Sequence, residues 1–252
     1  MGQAAADIKG LQASRAPIGR RPDGAGASQR VDLYTGIHKG LRAFMGDVLT
    51  TVGRMDANDP TEVAAVVEQV RVLLEALRRH LHHENQFKHP AMEARHPGSA
   101  CPTTEDHVHH EAEIERLGAD LLAVERSAGE ARPAAALKLY RRLALFVAEN
   151  YQHMQVEETE NNAVLWAGYT DEELLEIQDA LIAAIPPQWL ALYLRWMVPA
   201  MAPAERAALL TGIHQGAPAE VFEGILATIK PHLGERDWAK LMAVLGPVLV
   251  TY

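Results

Sequence analysis

The side chains in this sequence that could do chemistry are histidines: there are 12 of them, against a single cysteine. Imidazole binds transition metals and carries protons near neutral pH, so the question is which of these rings face inward. Val63, Val66, Val70, Leu73, Leu77, His80, Glu84 and Phe87 follow one unbroken three-four spacing. On a helix that spacing is a single stripe, which puts His80 and Glu84 where Leu or Val belongs. One turn separates the two, so both side chains point the same way. A polar group at a core position is costly unless something satisfies it.

The same break in apolar patterning recurs three times. Ile114, Leu117, Leu121 and Val124 form a stripe whose backward extension reaches His107, His110 and Glu111. Leu139, Leu143, Phe146, Asn150, His153 and Glu157 turn polar toward their end, and Tyr34, His38, Leu41, Met45, Val48 and Val52 carry one histidine on an apolar face. His109 and Glu113 share the His-x-x-x-Glu spacing but line up with Arg116 and Asp120, facing solvent, so spacing alone decides little. His82 is off its stripe, His83 is at the edge, and His89 with Glu93 falls half a turn round, which predicts rim or surface positions for all three. A single inward histidine is most often a satisfied core residue; four, each with carboxylates nearby, need a common cause.

The elements that must position these groups are helices throughout. Apolar spacings of three and four predict an all-α chain with long helices at about 31–54, 61–94, 103–126 and 133–162. Asp59-Pro60 enters the second, with Thr61 available as a cap, and His96-Pro97-Gly98-Ser99 forces a loop after it. Four such lengths joined by short breaks predict an antiparallel bundle, with His38, His80, His107 and His153 near one end. Residues 1–30 lack an apolar signal segment and read as a mobile tail. Thr170-Asp171-Glu172-Glu173 has a capping-box pattern opening further helices, and this last third, 167–252, reads as a C-terminal helical extension. The apolar stretch 183–203 is broken by four prolines and charged by Arg195, which excludes a membrane span.

Composition narrows the function classes. A net charge of -9, with no long Lys/Arg run outside the N-terminal tail, argues against a phosphate-backbone footprint, and no nucleic-acid partner is expected. One cysteine, Cys101, excludes a disulfide framework and every zinc site built from several thiolates, and it fits a reducing cytoplasm. Imidazoles and carboxylates converging in a dry core would be strongly unfavourable as bare groups, and cations resolve the conflict. A mixed shell of about seven nitrogen and oxygen ligands exceeds one tetrahedral zinc and suits two octahedral-leaning ions. The zincin pattern is missing, since neither His83-Glu84 nor His110-Glu111 continues to a third residue of the set. Glu93 and His96 have the ferritin-type spacing but run into Pro97.

Set in order, these pieces resemble the hemerythrin-like HHE cation-binding family over about 31–166. The match rests on the lone His38, on His80-Leu-His-His-Glu84 followed by Phe87-Lys-His-Pro90, on Asp106-His107 with Glu111, and on His153-Met-Gln-Val-Glu157-Glu158. The resemblance implies a four-helix bundle around a non-haem di-iron centre, with His38, His80, Glu84, His107, Glu111, His153 and Glu157 as ligands. It further implies that Glu84 and Glu157 bridge the irons, with His38 and His80 on one and the third-helix group with His153 on the other. Oxygen-carrying members have a second histidine one turn after the first in the third helix. Glu111 stands there here, with His110 one residue earlier, and an extra carboxylate favours ferric iron. Glu158 beside Glu157 leaves the fourth-helix ligand open by one residue.

The expected function is therefore a cytoplasmic iron protein handling dioxygen or a related small oxidant, in sensing or redox chemistry, with two irons and with manganese or zinc behind them. Leu41, Met45, Leu77, Phe87 and Phe146 are candidates to line an approach for gas-sized molecules. The alternative is a di-iron oxygenase or peroxidase whose substrate enters between bundle and C-terminal helices, where Trp166, Trp189 and Trp196 could form an aromatic wall. Those tryptophans sit in apolar helical runs and read first as core.

Overall fold

Helix-period patterning with prolines at element starts gives helices in order along the chain. The computed structural model describes residues 30–249. Its helices are α1 (Thr35–Arg54), α2 (Pro60–His83), α3 (His89–Arg95), α4 (Cys101–Arg126), α5 (Ala131–Val156), α6 (Asn162–Gly168), α7 (Asp171–Ala184), α8 (Pro187–Ala200), α9 (Pro203–Gly216), α10 (Ala219–Ile229) and α11 (Glu235–Leu249). Among the described residues there is no strand, and no helix is long and apolar enough to cross a membrane. The tail expected at 1–30 lies outside the described residues except for Arg30.

Two compact units divide the described residues: 42–161, and 30–41 with 162–249. In the first, α4 packs on both α2 and α5. The partner pairs run in opposite order along neighbouring helices. Arg71 meets Glu125 while Arg78 meets Glu115, and Asp120 meets Lys138 while His109 meets Glu149. The Tyr151 hydroxyl donates to Arg42 O, and Tyr140 lies against Gly53. Opposed chain sense follows from connections too short for a crossover. Val70, Leu73, Leu117, Leu143 and Phe146 are buried between these helices.

Local chemistry sets the ends. Asp59, not Thr61, caps α2: its carboxylate accepts from Thr61 N and Glu62 N, with Pro60 at the first position. α4 starts at Cys101, two residues earlier than Thr103, because Glu93 accepts from Gly98 N and Ala100 N and folds the preceding loop under the helix. Gly98 supplies the positive φ of 85° that this turn needs.

The expected second and fourth helices are not continuous. Each is interrupted by a π-helical turn, Glu84–Lys88 in one and Glu157–Asn161 in the other. Pro90 gives the first a reason, since its ring cannot follow Gln86 in a regular helix and a wider turn relieves the conflict. The effect is a change of facing. Phe87, which the stripe places inward, is half-buried, while Lys88 and His89 are 2% and 5% exposed.

In the other unit, Arg30 is pinned rather than loose, donating to Asp171 Oδ1, Trp166 O and Tyr169 O. Thr170 and Glu173 form the capping box that opens α7. Arg206 is 3% exposed and donates from Nε to Val198 O and from Nη2 to Pro199 O and Met201 O, closing the C-terminal end of α8. Trp166, Trp189 and Trp196 are half-buried, and Trp166 Nε1 donates to Val31 O.

Candidate metal centre

The residues that interrupt the apolar stripes are buried. His80, Glu84, His107, His153 and Glu157 are between 0% and 7% exposed. Glu84, His107, His153 and Glu157 each offer one ligand atom within 4.8 Å of the others, and His80 joins Glu84 and Glu157 at the same closeness. His80 Nε2 lies 3.3 Å from Glu84 Oε2, and His153 Nε2 lies 3.3 Å from Glu157 Oε2. His38, on α1 in the other unit, is 0% exposed, with its ring 5.7 Å from that of Tyr34.

Two imidazoles reveal what the cluster is arranged to hold. His107 Nδ1 donates to Asn85 Oδ1 at 2.7 Å, and His153 Nδ1 donates to Asp106 Oδ2 at 3.1 Å. Both acceptors lack a proton to give, so the hydrogens sit on the Nδ1 atoms. That leaves Nε2 of each ring directed inward, and the two Nε2 atoms are 3.0 Å apart. At that separation a proton or a cation must come between the two nitrogens. Fixing a ring through its outer nitrogen is how proteins orient metal-binding histidines.

The electrostatics follow the same lines. Burial pulls His153 down, but the hydrogen bond and charge of Glu157, with Glu84 and Asp106, reverse this and push it up to about 9. For Glu157, burial and the Glu84 charge push upward, and hydrogen bonds from His107 and His153 hold it at about 2. The site thus keeps Glu157 ionised and holds His153 protonated beside it. The donor set fits a hard or borderline divalent ion, with imidazole nitrogens and carboxylate oxygens and no thiolate.

The structure does not bring Glu111 to this cluster. Glu111 is exposed, and His110, 3% exposed, takes the inward position with its ring 4.9 Å from that of His153. The reason is register: Thr103, His107, His110, Ile114, Leu117, Leu121 and Val124 alternate four and three without a break, and Glu111 stands outside that series. Burial lowers His110 to about 4, with His153 and His107 adding to the effect, so the ring is neutral at pH 7. Glu158 is likewise directed away, in an ion pair with Arg42 at 2.5 Å.

His83 and His89, expected at the rim, are buried at 7% and 5% exposure. His89 stacks on His107 with centroids 4.7 Å apart, and burial lowers it to about 4, with repulsion from His107 next. Its ring nitrogens meet the hydroxyls of Thr103 and Thr104, and Asn161 Nδ2 donates to Thr103 Oγ1. Thr103 therefore ties the residue after one π turn to the last residue of the other. Asn85, His89, Thr103 and Lys88 escaped sequence reasoning; Pro90 within a helical pattern was the one signal of the changed facing.

The family model of the hemerythrin HHE cation binding domain matches residues 29–164. The chain belongs to this family. No curated protein matches it. Glu84, His107, His153 and Glu157 lie within the matched span and are placed so that they could hold a metal ion.

Proposed function

We propose that this hemerythrin-family protein holds two non-haem iron ions and uses them to bind, sense or react with dioxygen or a related small oxidant. The observation that carries this reading is the pair of opposed Nε2 atoms of His107 and His153, 3.0 Å apart beside two buried carboxylates. In the proposed arrangement His107 and His153 would serve one ion and His80 the other, with Glu84 and Glu157 offering carboxylate oxygens to them. When bound, such irons supply the electrons for reaction with an oxidant. The protein's part is to orient the imidazoles through Asn85 and Asp106, to keep Glu157 ionised, and to keep all of these groups buried away from bulk water.

Replacement of the expected Glu111 by His110 at the inward position supports a more nitrogen-rich surrounding than the sequence alone suggests. That weakens the argument from an extra carboxylate and leaves reversible binding of a small oxidant open beside redox sensing. The test is anaerobic reconstitution of the stripped protein with ferrous iron, followed by metal analysis and an optical spectrum on admitting air. Two irons per chain and new near-ultraviolet and visible bands are the expected result, with His80→Ala losing at least one iron. A chain that holds one zinc and no iron refutes the proposal.

A further inference from the structure

Lysine is almost never fully buried without a partner, and Lys88 is 2% exposed. The apolar stripe of α2 does not call for it; the π turn rotates it inward. Its Nζ donates to Glu84 Oε1 at 3.1 Å. The other oxygen, Oε2, faces His80 Nε2 at 3.3 Å and His107 Nε2 at 3.7 Å. Glu157 is placed differently, with Oε1 3.6 Å from His107 Nε2 and Oε2 3.3 Å from His153 Nε2. In sequence the two glutamates are equivalent, each four residues after a histidine and each the first residue of a π turn. In space they are not: Glu157 turns both oxygens toward imidazoles, whereas Glu84 turns one toward imidazoles and one toward an ammonium.

We propose that Lys88 is a positioning residue, a resident cation that holds Glu84 to one-oxygen coordination and makes the centre take its two metal ions with unequal affinity, the His80 side being weaker. The inference rests on the two-metal reading above. Two physical effects act in the same direction. An oxygen that accepts a charge-assisted hydrogen bond from Nζ has less electron density to give a metal. A fixed positive charge in the same dry core also repels an incoming divalent ion with little screening. A Lys88 that merely neutralised Glu84 would alter the stability of the metal-free protein and leave the ratio of the two binding steps alone.

The experiment titrates the full chain, stripped of metal, with cobalt(II) by calorimetry while the visible spectrum and the infrared carboxylate bands are followed. The wild type should bind two ions in unequal steps. Lys88→Met keeps the length and removes the charge, and it should strengthen the weaker step by about tenfold or more. It should also shift the carboxylate bands as Glu84 engages both oxygens, while Lys88→Arg preserves the gap. Lys88→Gln, neutral but still a donor, replaces the Met variant if that one does not fold. A weaker step unchanged in the neutral variant, with two ions still bound by the wild type, overturns the role of Lys88 and leaves the two-metal reading standing. A wild type that takes up fewer than two ions overturns that reading and this inference with it.

Discussion

Gly40, one turn into α1, offers the sharpest structural test because the geometry states what a methyl group there would meet. An added Cβ would stand 2.7 Å from Met197 Cγ, 2.9 Å from Met197 N and 3.0 Å from Met197 Cα. Ordinary carbon contacts are about 3.5–4.0 Å, so Gly40→Ala needs roughly 0.5–1 Å of separation between α1 and α8. Two of the three atoms are backbone and cannot rotate aside. Over-packing of this kind costs about 1–3 kcal/mol. Alanine also recovers up to about 1 kcal/mol of helix propensity, which masks part of that cost. The control is Gly36→Ala on the same helix, where the new Cβ meets only Met201 Cε at 3.4 Å and Met197 Cε at 3.8 Å. Urea unfolding followed by circular dichroism and tryptophan fluorescence should therefore separate the two variants by about 1–3 kcal/mol, with Gly40→Ala the weaker. If Gly40→Ala is as stable as Gly36→Ala, the backbone contact between α1 and α8 does not hold and the reasoning fails.

Asp106 is half-exposed, so its hold on His153 is partly screened; Asp106→Asn should weaken cation binding by about tenfold, the low end for such partners, and unchanged affinity in a metal titration would refute its orienting role. Asp120 is buried, which raises its pKa, but hydrogen bonds from Lys138 and Arg142 bring it below the ordinary 3.8. A depressed folded-state value contributes stability above the unfolded value and loses it as pH falls through the folded one. The stability gap between wild type and Asp120→Asn should thus be full at about pH 7 and shrink below about pH 4, and a gap independent of pH in urea titrations would contradict the ion pair. Arg206→Met strips three backbone carbonyls at the end of α8 of their donor and should cost about 2–4 kcal/mol; thermal unfolding that matches the wild type would sink the assignment. Arg206→Lys should not restore it, because an ammonium lacks the planar fork.

Much of the fold and part of the centre are legible in the residue order. Helix-period apolar stripes predicted the all-α class, and their interruption singled out His80, Glu84, His107, His153 and Glu157, all of them buried. The choice between His110 and Glu111 was also legible: strict four-three alternation from Ile114 reaches His110 and then His107, and extending the stripe to include Glu111 relaxed that rule. The burial of His89 was not, because it depends on a π turn. Such a turn adds one residue to a helical turn and shifts the facing of everything beyond it by about 100°.

The sequence by itself determined which chemistry is present: imidazole and carboxylate at core positions, one cysteine, and a spacing that puts His80 with Glu84 and His153 with Glu157. These are properties of one helix at a time, and short-range periodicity suffices to read them. Only the tertiary structure decided how the helices share the site. It set the two Nε2 atoms of His107 and His153 against each other through Asn85 and Asp106, and it distinguished Glu84, bound to Lys88, from Glu157. Those arrangements rest on contacts between residues far apart in the chain and on two widened turns, and the packing of whole helices fixes them rather than any local pattern.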